Sequence, residues 1–261
     1  MRQAILEVNN VSAGYGDTEV LHDVSLTVYP AEVIGIVGQS GSGKTSLLNC
    51  VLQLEPNLEI TSGEILYSNQ NLLTLNKKEY RRLFQDEIAI TFQNSNFALV
   101  PTRKISSQFY ETTRGRLTQG EIRQKAYRLF EQFELKNPER IFHSYPFELS
   151  IGMAQRVAVS LALINDPSLL LCDEPTSALD VKSAFEMVRQ LKQLKEEKGM
   201  TMVVVTHNIA LAAQLCDRIV VMHQGHIVEV QDTKTLIESP MHAYTKQLLA
   251  ALPKTEDLWN G

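Results

Sequence analysis

Gly38-Gln39-Ser40-Gly41-Ser42-Gly43-Lys44-Thr45 has the form G-x-x-x-x-G-K-[ST], a spacing suited to one chemistry. Glycines let successive backbone N–H groups close around the β- and γ-phosphates of a nucleotide, Lys44 adds a point charge, and the Thr45 hydroxyl can reach Mg²⁺. The alternative is a glycine-rich surface turn. At ordinary glycine frequency a chain of this length matches the pattern by accident on the order of 1% of the time, so the octapeptide points to a nucleoside triphosphate.

Three further polar groups stand at the ends of apolar runs. Ile88-Ala89-Ile90-Thr91-Phe92 ends at Gln93, Ser168-Leu169-Leu170-Leu171-Cys172 at Asp173-Glu174, and Met202-Val203-Val204-Val205-Thr206 at His207. Such short runs, like Val33–Val37 before the glycine loop, suit strands buried on both faces. Taken alone, Gln93 is a loop amide and His207 an ordinary histidine. In an open parallel α/β sheet, however, ligands bind at the carboxyl ends of the strands, so the four ends are expected to converge on one phosphate site. Thr45, the Gln93 side-chain oxygen and Asp173 are the hard oxygen donors expected around Mg²⁺. Glu174 is the candidate base for an attacking water, and His207 can donate to the γ-phosphate or orient that water. Tyr15, flanked by Gly14 and Gly16, either stacks on a purine or is a structural turn tyrosine.

The ordered set of Tyr15, Gly38–Thr45, Gln93, Leu149-Ser150-Ile151-Gly152-Met153, Leu169–Glu174, Ser177-Ala178-Leu179-Asp180 and His207 resembles the ATP-binding subunits of ABC transporters over nearly the whole chain. The stretch from Ser144 to Ser150, Gln155-Arg156-Val157, and the tail Ser239-Pro240-Met241-His242-Ala243-Tyr244-Thr245-Lys246-Gln247-Leu248-Leu249 resemble the peptide and nickel importer branch. Ala243 stands where that branch commonly has proline. The resemblance implies ATP hydrolysis with Mg²⁺ and two such subunits per ATP sandwich. It also implies two transmembrane permease subunits and an extracytoplasmic substrate-binding protein. Tyr15 would be the adenine-stacking residue, Ser150 to Met153 would meet the γ-phosphate held by the opposite subunit, and Asp180 would lie at the same interface. Ile151 replaces the first glycine of the family's Leu-Ser-Gly-Gly. It is either a tolerated variant or the mark of a heterodimer with a paralogue whose signature is intact.

With 261 residues, 44% of them hydrophobic, the chain can bury a substantial core. No run approaches the ~18 apolar residues of a membrane span, and the N-terminus does not resemble a signal peptide. The expected location is the cytoplasmic face of the membrane. A net charge of −5 gives no basic footprint for nucleic acid. Cys50, Cys172 and Cys216 lack metal-ligand spacing and are expected as buried reduced thiols. Many peptide-importer ATPases carry a C-terminal cysteine cluster holding an iron–sulfur centre. With no cysteine after Cys216, the resemblance is to the shorter nickel-type members.

The expected fold is α/β, a P-loop core of the ABC type with an antiparallel β subdomain and an inserted helical subdomain. The expected divisions are 1–93 with 166–230 for the nucleotide-binding core, 94–165 for the helical subdomain and 231–261 for a C-terminal extension. A helix is predicted over Lys44–Leu54, and an amphipathic one over Gly120–Phe133 with Ile122, Ala126, Leu129 and Phe130 on one side. Another is predicted over Ala184–Lys198, where Lys192, Lys195, Glu196, Glu197 and Lys198 form a solvated face. Ser150 opens a further helix, whose free N–H groups and dipole suit an anion. A non-transport ABC ATPase and a regulatory nucleotide-binding module are the alternatives. The first usually carries a coiled-coil insertion or a second cassette, and Glu174 with His207 argues against the second.

Overall fold

Alternating apolar positions open the chain. Leu6, Val8 and Val11 on β1 (Leu6–Tyr15) and Leu21, Val24, Leu26 and Val28 on β2 (Thr18–Val28) are buried, and the two strands pair antiparallel across a turn at Gly16-Asp17. The second strand therefore starts well before the Val24–Val28 run that its apolar residues mark out. The computed structural model describes residues 2–92, 98–113 and 115–251. They form two compact units, the first of the described residues up to 76 and from 198 onward, the second of those between 77 and 197.

In the first unit, β3 (Val33–Val37) is buried throughout and feeds α1 (Lys44–Leu52). This helix stops two residues short of the predicted Leu54. Gln53 turns left-handed at φ 48 and spends its side-chain amide on the Leu72 carbonyl, 2.7 Å away. Beyond it, β4 (Glu59–Tyr67) pairs with the other edge of β1, and β5 (Gln70–Asn71) pairs with β4, completing an antiparallel sheet in the order β2-β1-β4-β5.

The second unit begins with α2 (Lys77–Asp86) and β6 (Ile88–Thr91). Helices follow: α3 (Ile105–Thr113), α4 (Gln119–Gln132), α5 (Pro138–His143) and α6 (Ile151–Ala162). Thr118 and Glu121 close a reciprocal capping box at the start of α4. The Thr118 backbone N–H, then its hydroxyl, hold the Glu121 carboxyl below its ordinary value. Ile122, Ala126, Leu129 and Phe130 are all buried, as the spacing predicts. Phe130 meets Phe109 of α3 edge-on at 5.5 Å, and Phe142 of α5 lies 5.9 Å from Phe109. Each fully buried phenylalanine contributes about 1.5–3 kcal/mol. The unit closes with β7 (Leu169–Asp173), parallel to β6, and α7 (Val181–Lys198). On α7, Lys192, Glu196, Glu197 and Lys198 are exposed and Lys195 is half-buried.

The chain then returns to the first unit. β8 (Thr201–Thr206) runs parallel to β3 on one side and, after α8 (Ile209–Leu215), β9 (Arg218–His223) runs parallel to β3 on the other. β10 (His226–Asp232) turns back antiparallel to β9, followed by α9 (Thr233–Glu238) and α10 (Ala243–Ala250). All three cysteines are buried, and burial pushes the Cys50 and Cys172 thiols up to about 12.

Candidate active site

The glycine octapeptide lies between β3 and α1, as its chemistry requires. Gly43 caps α1 at φ 99 with no side-chain hydrogen bond, so the first N–H groups of the helix have no side-chain cap. Gly38 is needed for space: a Cβ there would sit 2.3 Å from the Met222 carbonyl oxygen. The loop wraps Lys44, which is only 6% exposed. Its Nζ donates to the carbonyls of Gly38 and Gln39, both at 2.8 Å, and to Ser42 Oγ at 3.4 Å. The β9–β10 turn braces the loop from outside, with Gly225 N–H donating to the Ser42 carbonyl at 3.1 Å. Ser40, Gly41 and Thr45 are exposed, so the Thr45 hydroxyl stands open at the second residue of α1.

His207 belongs to the same end of the same sheet. Val37 and Thr206 are register partners on adjacent parallel strands, so the glycine loop and His207 leave neighbouring strands side by side. The turn at His207 is held locally: the Thr206 hydroxyl accepts from Asn208 N–H at 3.0 Å, and Asn208 Oδ1 caps α8 through Leu211 N–H at 3.1 Å. The imidazole itself is exposed.

In the second unit, β7 ends at Asp173, and Glu174 follows with its backbone left-handed at φ 48. Both carboxylates are mostly buried. A non-glycine residue in that region costs on the order of 1–3 kcal/mol, and the turn is held by Ser177, whose N–H and hydroxyl both donate to the Glu174 carbonyl at 3.2 Å. Gln155 of α6, 2% exposed, donates to the Pro175 carbonyl at 2.8 Å. The helix that carries Ser150 is thereby tied to the turn that carries Glu174. In sequence, Gln155 is one polar residue among apolar neighbours, and only the tertiary contact reveals its bond.

Ser150 is the N-cap of α6, its hydroxyl accepting from Met153 N–H at 3.3 Å. Ile151 is the first helical residue. It has no positive φ, and its side chain is 61% exposed. A β-branched residue therefore brings bulk to this position without backbone strain. Asp180 caps α7, accepting from the Ser183 N–H at 3.0 Å and the Ser183 hydroxyl at 2.7 Å. These donors, the backbone one first, hold its carboxyl below the ordinary value. Tyr15 is the last residue of β1, paired with Thr18 across the hairpin turn and 39% exposed. Gln93 lies outside the described residues.

The chain matches the ABC transporter family over residues 21–177, more than half its length. It belongs to that family. This ABC ATPase is 37% identical to the dipeptide transport ATP-binding protein DppD of Caldanaerobacter subterraneus, over 95% of this chain and 78% of the relative. It is 30% identical to the metal-staphylopine import system ATP-binding protein CntD of Staphylococcus aureus, over 92% of this chain and 90% of the relative. Among solved structures, it superimposes with a TM-score of 0.76 and 32% identity on the ATP-binding cassette MJ0796, a dimer bound to ADP and Pi. That match covers 87% of this chain and 98% of the cassette. The fold is that of a P-loop ABC ATPase, and no helix among the described residues is long and apolar enough to cross a membrane.

Proposed function

We propose that this ABC ATPase hydrolyses ATP on the cytoplasmic face of a membrane to energise an importer of the peptide or metal-chelate class. The observation that carries the reading is the loop of residues 38–43 folded around a buried Lys44, beside His207 at the end of a neighbouring parallel strand. The cargo class rests on the relatives, whose names point to dipeptide and metal-staphylopine import.

In this reading Tyr15 stacks on the adenine and residues 38–45 bind the β- and γ-phosphates. Glu174 accepts the proton of the attacking water, and His207 donates to the γ-phosphate. In the same reading the Thr45 hydroxyl and the Asp173 carboxylate, hard oxygens of the kind Mg²⁺ prefers, would be among its ligands. Gln93 would join them. Bound Mg²⁺ would neutralise charge on the phosphates.

Two features support partners. A groove of about 560 Å³ in the second unit is lined by Tyr80 and Phe84 of α2, Ile90 of β6, and Phe92 and Ala98, which flank the segment 93–97. Tyr80 and Phe84 stand 4.3 Å apart there. With Arg81, Gln85 and Glu111 also in its lining, this groove of mixed apolar and polar character suits an amphipathic helix of a transmembrane permease subunit. The exposed Ile151 at the head of α6 supports a heterodimer: the second ATPase subunit would be a paralogue with glycine at that position, completing the productive site on this chain. An extracytoplasmic binding protein would deliver cargo to the permeases.

The test is uptake by the complete complex in sealed vesicles, with labelled peptides and labelled nickel chelates offered separately. The reading expects ATP-dependent uptake of one class. Failure of both, with ATP hydrolysis intact, would contradict the importer assignment.

A further inference from the structure

The glycine loop is gripped from a part of the chain with no role in the site so far. Tyr244, on α10 and 7% exposed, accepts a hydrogen bond at its hydroxyl from the Gln39 backbone N–H at 3.0 Å. The carbonyl of the same peptide unit, that of Gly38, takes a hydrogen bond from Lys44 Nζ at 2.8 Å. One peptide plane is thus clamped at both ends, by the loop's own lysine and by a tyrosine 205 residues away.

The tyrosine is itself firmly held. Its ring stacks on His223, the last residue of β9, with centroids 3.9 Å apart. Its backbone N–H donates to His242 Nδ1 at 3.2 Å. The segment leading into α10 is pinned by the buried Glu229 carboxylate of β10, which accepts from Met241 N–H at 2.8 Å and His242 N–H at 3.0 Å. All these groups lie in one compact unit, and the tail lies beyond the residues matched to the family.

We propose that Tyr244 is a positioning residue for ATP, and that the C-terminal segment straps the phosphate loop through the Gly38–Gln39 peptide. When phosphate draws the Lys44 ammonium away from the Gly38 and Gln39 carbonyls, that peptide loses its internal clamp. The Tyr244 hydroxyl then keeps the entry of the loop in place, so the ordering cost of binding is lowered in advance. The inference rests on the reading of residues 38–45 as the phosphate loop.

Tyr244→Phe tests it in the full chain, because it deletes the hydroxyl and keeps the ring on His223. A net hydrogen bond corresponds to about a two- to tenfold change in an equilibrium constant. The ATP dissociation constant and the KM of the complete complex should rise by that factor with kcat unchanged, and the melting temperature should fall by only a few degrees. Hydrogen exchange at the Gln39 amide should accelerate by a similar factor. Unaltered exchange at Gln39, or accelerated exchange with unaltered ATP affinity, would overturn the strap. Lys44→Ala, titrated alongside, separates the two claims. Weakened binding in Lys44→Ala with wild-type behaviour in Tyr244→Phe removes the strap alone, whereas wild-type affinity in Lys44→Ala removes the phosphate-loop reading and the strap with it.

Discussion

The two helix N-termini suited to phosphate are built in opposite ways. α1 begins at Gly43, left-handed and without a side-chain cap, behind a loop that encloses a buried ammonium. α6 begins at Ser150, whose hydroxyl already accepts the Met153 N–H, and its first helical residue is an exposed isoleucine. The first end is backbone held open around a charge, so it suits a ligand by itself. The second has one of its N–H groups already taken by the Ser150 hydroxyl and encloses no charge, so an anion there gains chiefly the dipole contribution, about 0.3–1 kcal/mol at an exposed helix end. In the proposed reading the first is the main ATP site and the second an accessory one.

Removing the charge at the first end should break the comparison most. Lys44→Ala is expected to raise the ATP dissociation constant about ten- to a hundredfold, the range for a charged hydrogen bond, measured by direct titration. Ser150→Ala removes a cap and should cost about 0.5–2 kcal/mol of stability, read from denaturant unfolding, with ATP affinity of the isolated chain unchanged. An equal loss of affinity in the two variants would erase the distinction between the ends. Ile151→Gly is the smallest change. Because the backbone there is ordinary helix, the substitution removes bulk at some cost in helix propensity, and hydrolysis by the chain alone should rise about two- to threefold, equivalent to ~0.5 kcal/mol. A homodimer as fast as the full complex and indifferent to this substitution would contradict the heterodimer.

The first end was legible in sequence because its chemistry needs specific residues in an unbroken string, between an apolar run and a helix. The stripe Ile122, Ala126, Leu129 and Phe130 was legible through its helical period. Gln155 and Tyr244 were not. Each acts through one hydrogen bond to a backbone group distant in sequence, Pro175 or Gln39, and a local pattern carries no trace of such a partner. The early stop of α1 was hidden for the same reason, since Gln53 leaves the helix to meet Leu72.

Glu174 gives the most direct test that this ABC ATPase works by the proposed chemistry. It sits directly after Asp173, at the left-handed turn that closes β7. In the complete complex, Glu174→Gln should slow ATP hydrolysis at least ~10²-fold, the lower end for a general base, while ATP affinity is kept and nucleotide is trapped in a closed ATPase pair. Turnover near that of the unaltered complex would contradict the account.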